Sequence, residues 1–143
     1  MAEFRQYRPD GIVVVLKGID ITGMIDGEFV TVERTKETWT KRKGAFGDGV
    51  RTQSHDRSGR ATIKVLAQHP VNDALSALMI EDEQFGTGVG EFMMQDLNGT
   101  TLCHGDKAWL VKPPSAARAD TDGEVEWLID IDDLDVFIGG SLV

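Results

Sequence analysis

The sequence predicts a mainly β protein: a β-sandwich or barrel of short antiparallel strands, with one flanking α-helix at about 71–84 and a long basic loop at about 35–59. Three observations carry that expectation. Short β-branched or alternating segments recur along the chain, separated by glycine-bearing turns. A single segment switches to the helical period. The stretch 35–59 replaces apolar periodicity with charge and glycine. The chain has 143 residues and is 41% apolar, enough for one hydrophobic core. The expected organisation is an N-terminal arm at 1–10 and one domain at 11–143.

Each element has its reason. Residues 1–10 (MAEFRQYRPD) are polar with Phe4 and Tyr7 interleaved, as in an arm that is disordered or docked on a neighbour. The β-branched run 12–17 (IVVVLK) reads as a strand, and Ile19 and Ile21 as a second short extended piece. Asp26-Gly27 is a type I′ hairpin signal, followed by the strand 28–34 (EFVTVER). In 35–59 the ends extend the flanking strands and the middle, 43–50, is expected as a mobile tip. Residues 60–67 (RATIKVLA) alternate, with Ala61, Ile63, Val65 and Ala67 on one face. Then Val71, Ala74, Leu75, Leu78 and Met79 form a helical stripe. Pro70 suits its first turn and Gly86 and Gly88 its end. Strands follow at 91–97, 100–104 and 108–112, with Asn98-Gly99 as a hairpin turn and Pro113-Pro114 as a stop. A polar loop covers 115–123. The cleanest alternation is 124–131, with Val125, Trp127, Ile129 and Ile131 inward and Glu124, Glu126, Leu128 and Asp130 outward. The last strand is 135–138, closed by Gly139-Gly140.

Charge and composition exclude whole classes. The longest apolar run, 12–16, is far short of the ~20 residues of a membrane helix. The opening carries no apolar h-region, so no secretory signal is expected. A lone cysteine, Cys103, excludes an internal disulfide framework and fits a reducing compartment. The formal net charge of −9 repels nucleic acid, so sequence-specific DNA binding is not expected. The charge is also polarised: residues 33–60 hold eight bases and four acids, whereas residues 120–143 hold eight acids and no base. That distribution suits a basic region of one copy meeting an acidic region of another; a solvated acidic surface with one basic loop gives the same pattern.

A search for chemistry finds little. Cys103-His104 places two soft ligands in sequence, but adjacent strand residues point to opposite faces, so a buried thiol beside an exposed imidazole is expected. His69 is a cap or surface group, and Asp56 makes an Asx turn before Ser58-Gly59. The acids at 130, 132, 133 and 135 lack the glycine and distal glutamate of a calcium loop. GTGVG at 86–90 follows its helix, whereas a phosphate loop precedes one. No catalytic site, cofactor or metal is expected, and the chain is not read as an enzyme. Trp127 and Trp109 are assigned to the core; Trp39, in the basic loop, is an interface candidate.

From Val32 to Leu78 the chain reads VERTKETWTKRKGAFGDGVRTQSHDRSGRATIKVLAQHPVNDALSAL, and its end reads EWLIDIDDLDVFIGG. In this order, a VER-type strand, a long charged glycine-bearing loop, an SG turn, a T-I-x-V strand, an H-P-x-N-D-x-L-S-A-L helix start and an acidic D-L-D…F…G-G ending resemble the bacteriophage tail tube proteins. The resemblance spans roughly residues 11–140. It implies a small β-barrel or sandwich whose rings, commonly hexameric, stack into a hollow tube that conducts DNA during ejection. It implies a structural role with no catalytic residues. The implied partners are other copies of the chain, a tape-measure protein, a baseplate or tail-tip initiator, a tail terminator and, in contractile tails, a sheath. The implied location is the virion tail, assembled in the host bacterial cytoplasm.

In that setting Phe4, Tyr7, Trp39, Lys41, Arg42, Lys43, Phe46, Arg51 and Arg57 are the expected contacts between subunits or rings. Glu124, Glu126 and Asp130 are the expected lumen-facing acids, since carboxylates repel DNA phosphates. Two other readings fit the same residues. One is the inner tube of a contractile bacteriocin or secretion system. The other is a monomeric β-sandwich that holds an acidic ligand with Trp39 and its basic loop.

Overall fold

Alternating burial organises the chain. A computed structural model describes Phe4 and residues 6–116 and 123–140. After a single 3₁₀ turn at Pro9–Gly11 come β1 (Ile12–Leu16), β2 (Ile19–Asp20), β3 (Val30–Arg34), β4 (Trp39–Lys43), β5 (Gly49–Gln53) and β6 (Gly59–Leu66). The helix α1 (Val71–Phe85) follows, then β7 (Gly90–Asp96), β8 (Leu102–Leu110), β9 (Glu124–Ile131) and β10 (Asp135–Phe137). The main sheet runs in the order β2-β1-β7-β8-β9-β6-β3, with β10 also pairing β8. Every pairing is antiparallel. The expected fold class is therefore observed: mainly β, antiparallel, sandwich-like, with one helix among the described residues.

The sheet does not close by hydrogen bonds, since β2 and β3 stand at its two ends. It curls nonetheless: Ile12 of β1, Val30 of β3 and Met94 of β7 line one cavity. Inside the curl lie Val14, Leu16, Ile63, Val65, Phe92, Trp127, Ile129 and Leu134, each 1% exposed or less. Burying each side chain of this size is worth about 1.5–3 kcal/mol, which is what holds the curl.

Helix α1 packs Val71, Leu75, Leu78 and Met79 onto this core. Its start is tied by side chains. The Val71 N–H donates to His69 Nδ1 at 3.1 Å, and Asn72 Nδ2 donates to the Leu66, Ala67 and His69 carbonyls. Asn72 Oδ1 also accepts the Trp127 Nε1–H at 3.0 Å, so the buried indole leaves no orphan donor. The helix stops at Gly86, whose φ of 68° is the left-handed cap that glycine takes without strain. The capping role expected of His69, the core position of Trp127 and the helix span are all observed.

Several expectations are corrected. Asp26-Gly27 does not join paired strands. The first hairpin turns instead at Lys17-Gly18, with φ of 49° and 79°, positive at both positions as a type I′ turn requires. Residues 21–25 then cross to β6, where Met24 bridges Val65, so β3 pairs β6 rather than β2. The segments 100–104 and 108–112 are one strand, β8. Asn98-Gly99 does turn the β7–β8 hairpin, within a loop longer than two residues. Trp109 is not in the core. Strand alternation sends Ala108 and Leu110 inward and leaves Trp109 half-buried on the outer face, opposite Asp130. The polar loop expected at 115–123 lies mostly outside the described residues.

Candidate assembly surface

The segment expected as a long basic loop is a β-hairpin. Strands β4 and β5 pair Trp39 with Gln53, Lys41 with Arg51 and Lys43 with Gly49, and they pair with no other strand. All ten of their residues are exposed. The expected mobile tip is an ordered turn, in which the Gly44 N–H donates to the Asp48 carbonyl at 2.7 Å and the Gly47 N–H to the Gly44 carbonyl at 3.1 Å. That turn holds Phe46 out at 98% exposure. Trp39 is 44% exposed, and the Arg51 guanidinium stacks 3.6 Å from its ring centroid. At an exposed site such a stack is worth about 0.5–1 kcal/mol, too little to order a hairpin alone. Lys41, Arg42, Lys43 and Arg51 against Asp48 make the hairpin strongly cationic.

The hairpin root, by contrast, is anchored. The Thr35 N–H donates to the Ser58 carbonyl at 3.0 Å, and the Ser54 N–H to the Thr38 carbonyl at 2.7 Å. Arg34 Nε donates to the Leu134 carbonyl at 3.0 Å. Asp56 Oδ1 accepts from the Ser58 hydroxyl and N–H, which is the expected Asx turn, and Asp56 pairs with Lys36 at 3.0 Å. The Ser58 hydroxyl, then Lys36 and the Ser58 N–H, lower the Asp56 pKa to about 2. At Gly59 an added Cβ would come within 2.3 Å of Leu134 Cδ2 and 2.9 Å of the Glu33 carbonyl oxygen, so the chain passes there only as glycine.

The remaining candidates separate. Arg57 is held within the chain, ion-paired with Asp133 at 3.4 Å and with Asp135. That one guanidinium offsets one of the two negative charges and holds both acids in place. Phe4 and Tyr7 are exposed at 94% and 62%, but the arm is pinned to its own chain just after them. The Arg8 N–H donates to Asn98 Oδ1 at 3.0 Å and Asn98 Nδ2 donates to the Arg8 carbonyl at 2.8 Å. Residues 1–3 and 5 lie outside the described residues.

Glu124, Glu126 and Asp130 share the outer face of β9, as expected. The register adds cations to that face. Asp130 accepts a charge-assisted hydrogen bond from Arg60 Nε at 2.8 Å, which raises the Arg60 pKa, and Lys64 lies opposite Glu126. Cys103 is buried, which raises its pKa and leaves it inert, while its neighbour His104 turns outward to Glu91 at 3.0 Å. Among the described residues no group of three or more His, Cys, Asp or Glu is placed to hold a metal ion.

Sequence reasoning missed the pairing of β4 with β5 because both faces are polar, so no apolar alternation marks them. The available signal was glycine at 44, 47 and 49 between two segments that carry Thr with Lys or Arg. It also missed the exposed apolar side chains of Ile80 and Phe85 on α1, at 55% and 73%.

The described residues thus set a cationic hairpin, exposed along both strands, beside a curled sheet. Comparison with known proteins places the chain in a family. The chain is 25% identical to Structural protein ORF10 of Pseudomonas phage KPP10, over 94% of this chain and 83% of that protein. Its fold is similar to the sheath/tube terminator of an extracellular contractile injection system (PVC), with TM-score 0.66, 10% identity and coverage of 96% and 100% of the two chains. It is also similar to the tube terminating cap of the anti-feeding prophage, with TM-score 0.63, 10% identity and coverage of 96% and 94%. A gene transfer agent virion contains a third chain of this fold, with TM-score 0.60, 11% identity and coverage of 93% and 100%. Residues 18–139 match the family described as Bacteriophage PhiTE tail tube protein, and the chain belongs to that family: it is a structural protein of a phage tail.

Proposed function

We propose that this protein is the repeating subunit of a hollow tail tube, forming rings of sixfold symmetry that stack and conduct DNA during ejection. One observation carries the reading: a hairpin exposed on both faces. A two-stranded hairpin is marginal in water by itself, so its cationic strands and the Phe46 tip serve a contact made on assembly. Lys41, Arg42, Lys43, Arg51 and Trp39 belong to that contact. Phe4 and Tyr7 add a second one from the arm. Arg57, held by Asp133 and Asp135, supports the hairpin root.

The outer face of β3, β6 and β9 is the proposed lumen wall. Glu33, Glu124, Glu126 and Asp130 outnumber Arg60 and Lys64 on it, so it repels phosphate without a bare acidic surface. The partners of the proposed tube are the tape-measure protein it grows around, a baseplate or tail-tip initiator and a terminator. A sheath joins them if the tail is contractile, a reading favoured by the fold's likeness to chains of contractile injection systems. Assembly takes place in the host cytoplasm and the product is the virion tail.

The test is negative-stain electron microscopy with light scattering on the full chain and on a variant lacking residues 43–50. The full chain forms hollow tubes when seeded with its initiator; the variant stays a folded monomer. A full chain that never assembles on an initiator, or a variant that polymerises normally, contradicts the reading.

A further inference from the structure

The outer surface of the main sheet has two halves of opposite character. Across β3, β6 and β9 it is charged: Glu33 lies opposite Arg60, Arg60 opposite Asp130 and Lys64 opposite Glu126. Across β1, β7, β8 and β10 the register sets Val13, Gln95, Leu102 and Phe137 side by side in one row, and Val15, Met93, His104 and Asp135 in the next. Val14, Leu16, Phe92 and Cys103, which alternate with them, are buried, so both rows lie on the outer side. Strand β1 is thus apolar on both faces, a pattern of strands that are covered on both. Leu102 and Phe137, directly opposite each other, are nevertheless 39% and 62% exposed. Acids stand beside them. Glu91 Oε1 and Asp106 Oδ1 lie 3.0 Å and 3.6 Å from His104 Nε2, and Asp135 is opposite His104. Among the described residues neither Glu91 nor Asp106 meets a Lys or Arg. An open apolar face set among carboxylates fits an occupant that is both apolar and cationic.

The same chain carries a surface of that chemistry. Trp39, Lys41 and Lys43 alternate onto one face of the β4–β5 hairpin, and the register sets Arg51 opposite Lys41 on that face, which holds no acid. Like charges directly opposite each other destabilise a strand pair. Among the described residues none of Lys41, Lys43 and Arg51 makes an ion pair. Both faces of the hairpin are open, so it does not lie on its own sheet. We propose that the outer face of β8 and β10, at Leu102 and Phe137, receives the Trp39 face of the β4–β5 hairpin of a second copy. Trp39 packs on the two apolar side chains, and Lys41, Lys43 and Arg51 meet Glu91, Asp106 and Asp135. Donor and acceptor are different surfaces of one chain, so the contact is heterologous and repeats from copy to copy. This rests on the reading that the hairpin docks between copies; it adds where.

Charge reversal tests it on the full chain, seeded with its initiator. Glu91→Lys with Asp106→Lys reverses the acceptor, and Lys41→Glu with Lys43→Glu reverses the donor. Each pair raises the critical concentration for tube growth about tenfold or more, and the four together restore it to within about threefold of the original. Both variants stay folded with the monomer Tm of the parent. The side chains of Glu91 and Asp106 are 62% and 87% exposed, and Lys41→Glu places a carboxylate opposite Arg51. If the acceptor variant grows tubes normally while the donor variant does not, the hairpin docks elsewhere: this inference falls and the tube reading stands. If both reversals impair growth and the four together do not restore it, the two surfaces do not meet and the inference falls. If neither reversal affects growth, the hairpin contact falls with it. Normal tubes from the acceptor variant that no longer take up a sheath also overturn the inference and assign the β8 and β10 face to that partner.

Discussion

Strands β6 and β9 and strands β4 and β5 are antiparallel ladders of similar regularity, set in opposite surroundings. Along β6 and β9 every second side chain is buried, from Ala61 to Val65 and from Trp127 to Ile131. Along β4 and β5 none is. The first pair is held by its own core. The second has hydrogen bonds, one cation–π stack and the anchored root, and in the proposed tube a neighbouring copy adds to these. The difference separates a part of the molecule held by its own core from a part that the proposed tube reading assigns to assembly. A substitution in the first region lowers monomer stability. A substitution in the second leaves the monomer alone and affects growth.

The sharpest break of the first region is Trp127→Ala. Emptying this 1%-exposed position costs about 3–5 kcal/mol and lowers the Tm by roughly 10–20 °C in calorimetry. A smaller loss follows Asn72→Ala, which leaves the Trp127 Nε1–H unpaired in the core and costs about 1–3 kcal/mol by urea unfolding. Phe46→Ala does the reverse: its monomer stability stays within about 0.5 kcal/mol of the parent, because Phe46 is almost fully exposed. Its tube growth, followed by light scattering, nonetheless requires a higher protein concentration. An equal Tm loss in all three variants would erase the distinction between the regions.

The smallest effect is acid sensitivity at the hairpin root. Asp56 has its pKa lowered from 3.8 to about 2 by Ser58 and Lys36. A depressed carboxylate stabilises the native state fully above its unfolded pKa, and that contribution is lost as pH falls through the folded one. The root therefore loosens between about pH 4 and pH 2, and Asp56→Asn removes that dependence. A carboxyl-resolved NMR titration reads it directly: a midpoint for Asp56 near the ordinary carboxylate value contradicts the geometry.

Much of the core was legible because one-sided burial leaves a period in the residues. The stripes at Ala61, Ile63 and Val65, at Val71, Leu75 and Leu78, and at Trp127, Ile129 and Ile131 all lie where the alternation puts them. Order along the chain was legible too, through glycine turns and the helix start. What escaped was pairing between distant segments. Asp26-Gly27 reads as a hairpin turn locally, yet β3 is drawn to β6 because Val30 and Val32 there share a face with Ile63 and Ala61. Trp109 reads as core because its neighbours are apolar, and alternation turned it outward. The hairpin was seen as an anomaly of charge and glycine, not as strands, because a ladder with two polar faces has no apolar period. The Arg57 pairing with Asp133 and Asp135, and the Arg60 pairing with Asp130, arise from β6 lying beside β9, and no local pattern encodes them.

Hydrogen–deuterium exchange on monomer and on assembled tubes tests the central claim most directly. Amides of β6 and β9 are protected in both states. Amides at 39–43 and 49–53 exchange quickly in the monomer and become protected in the tube, because a neighbouring copy covers them. Equal protection of the hairpin in both states, or rapid exchange persisting in the tube, would contradict the account of a hairpin that is completed by another copy.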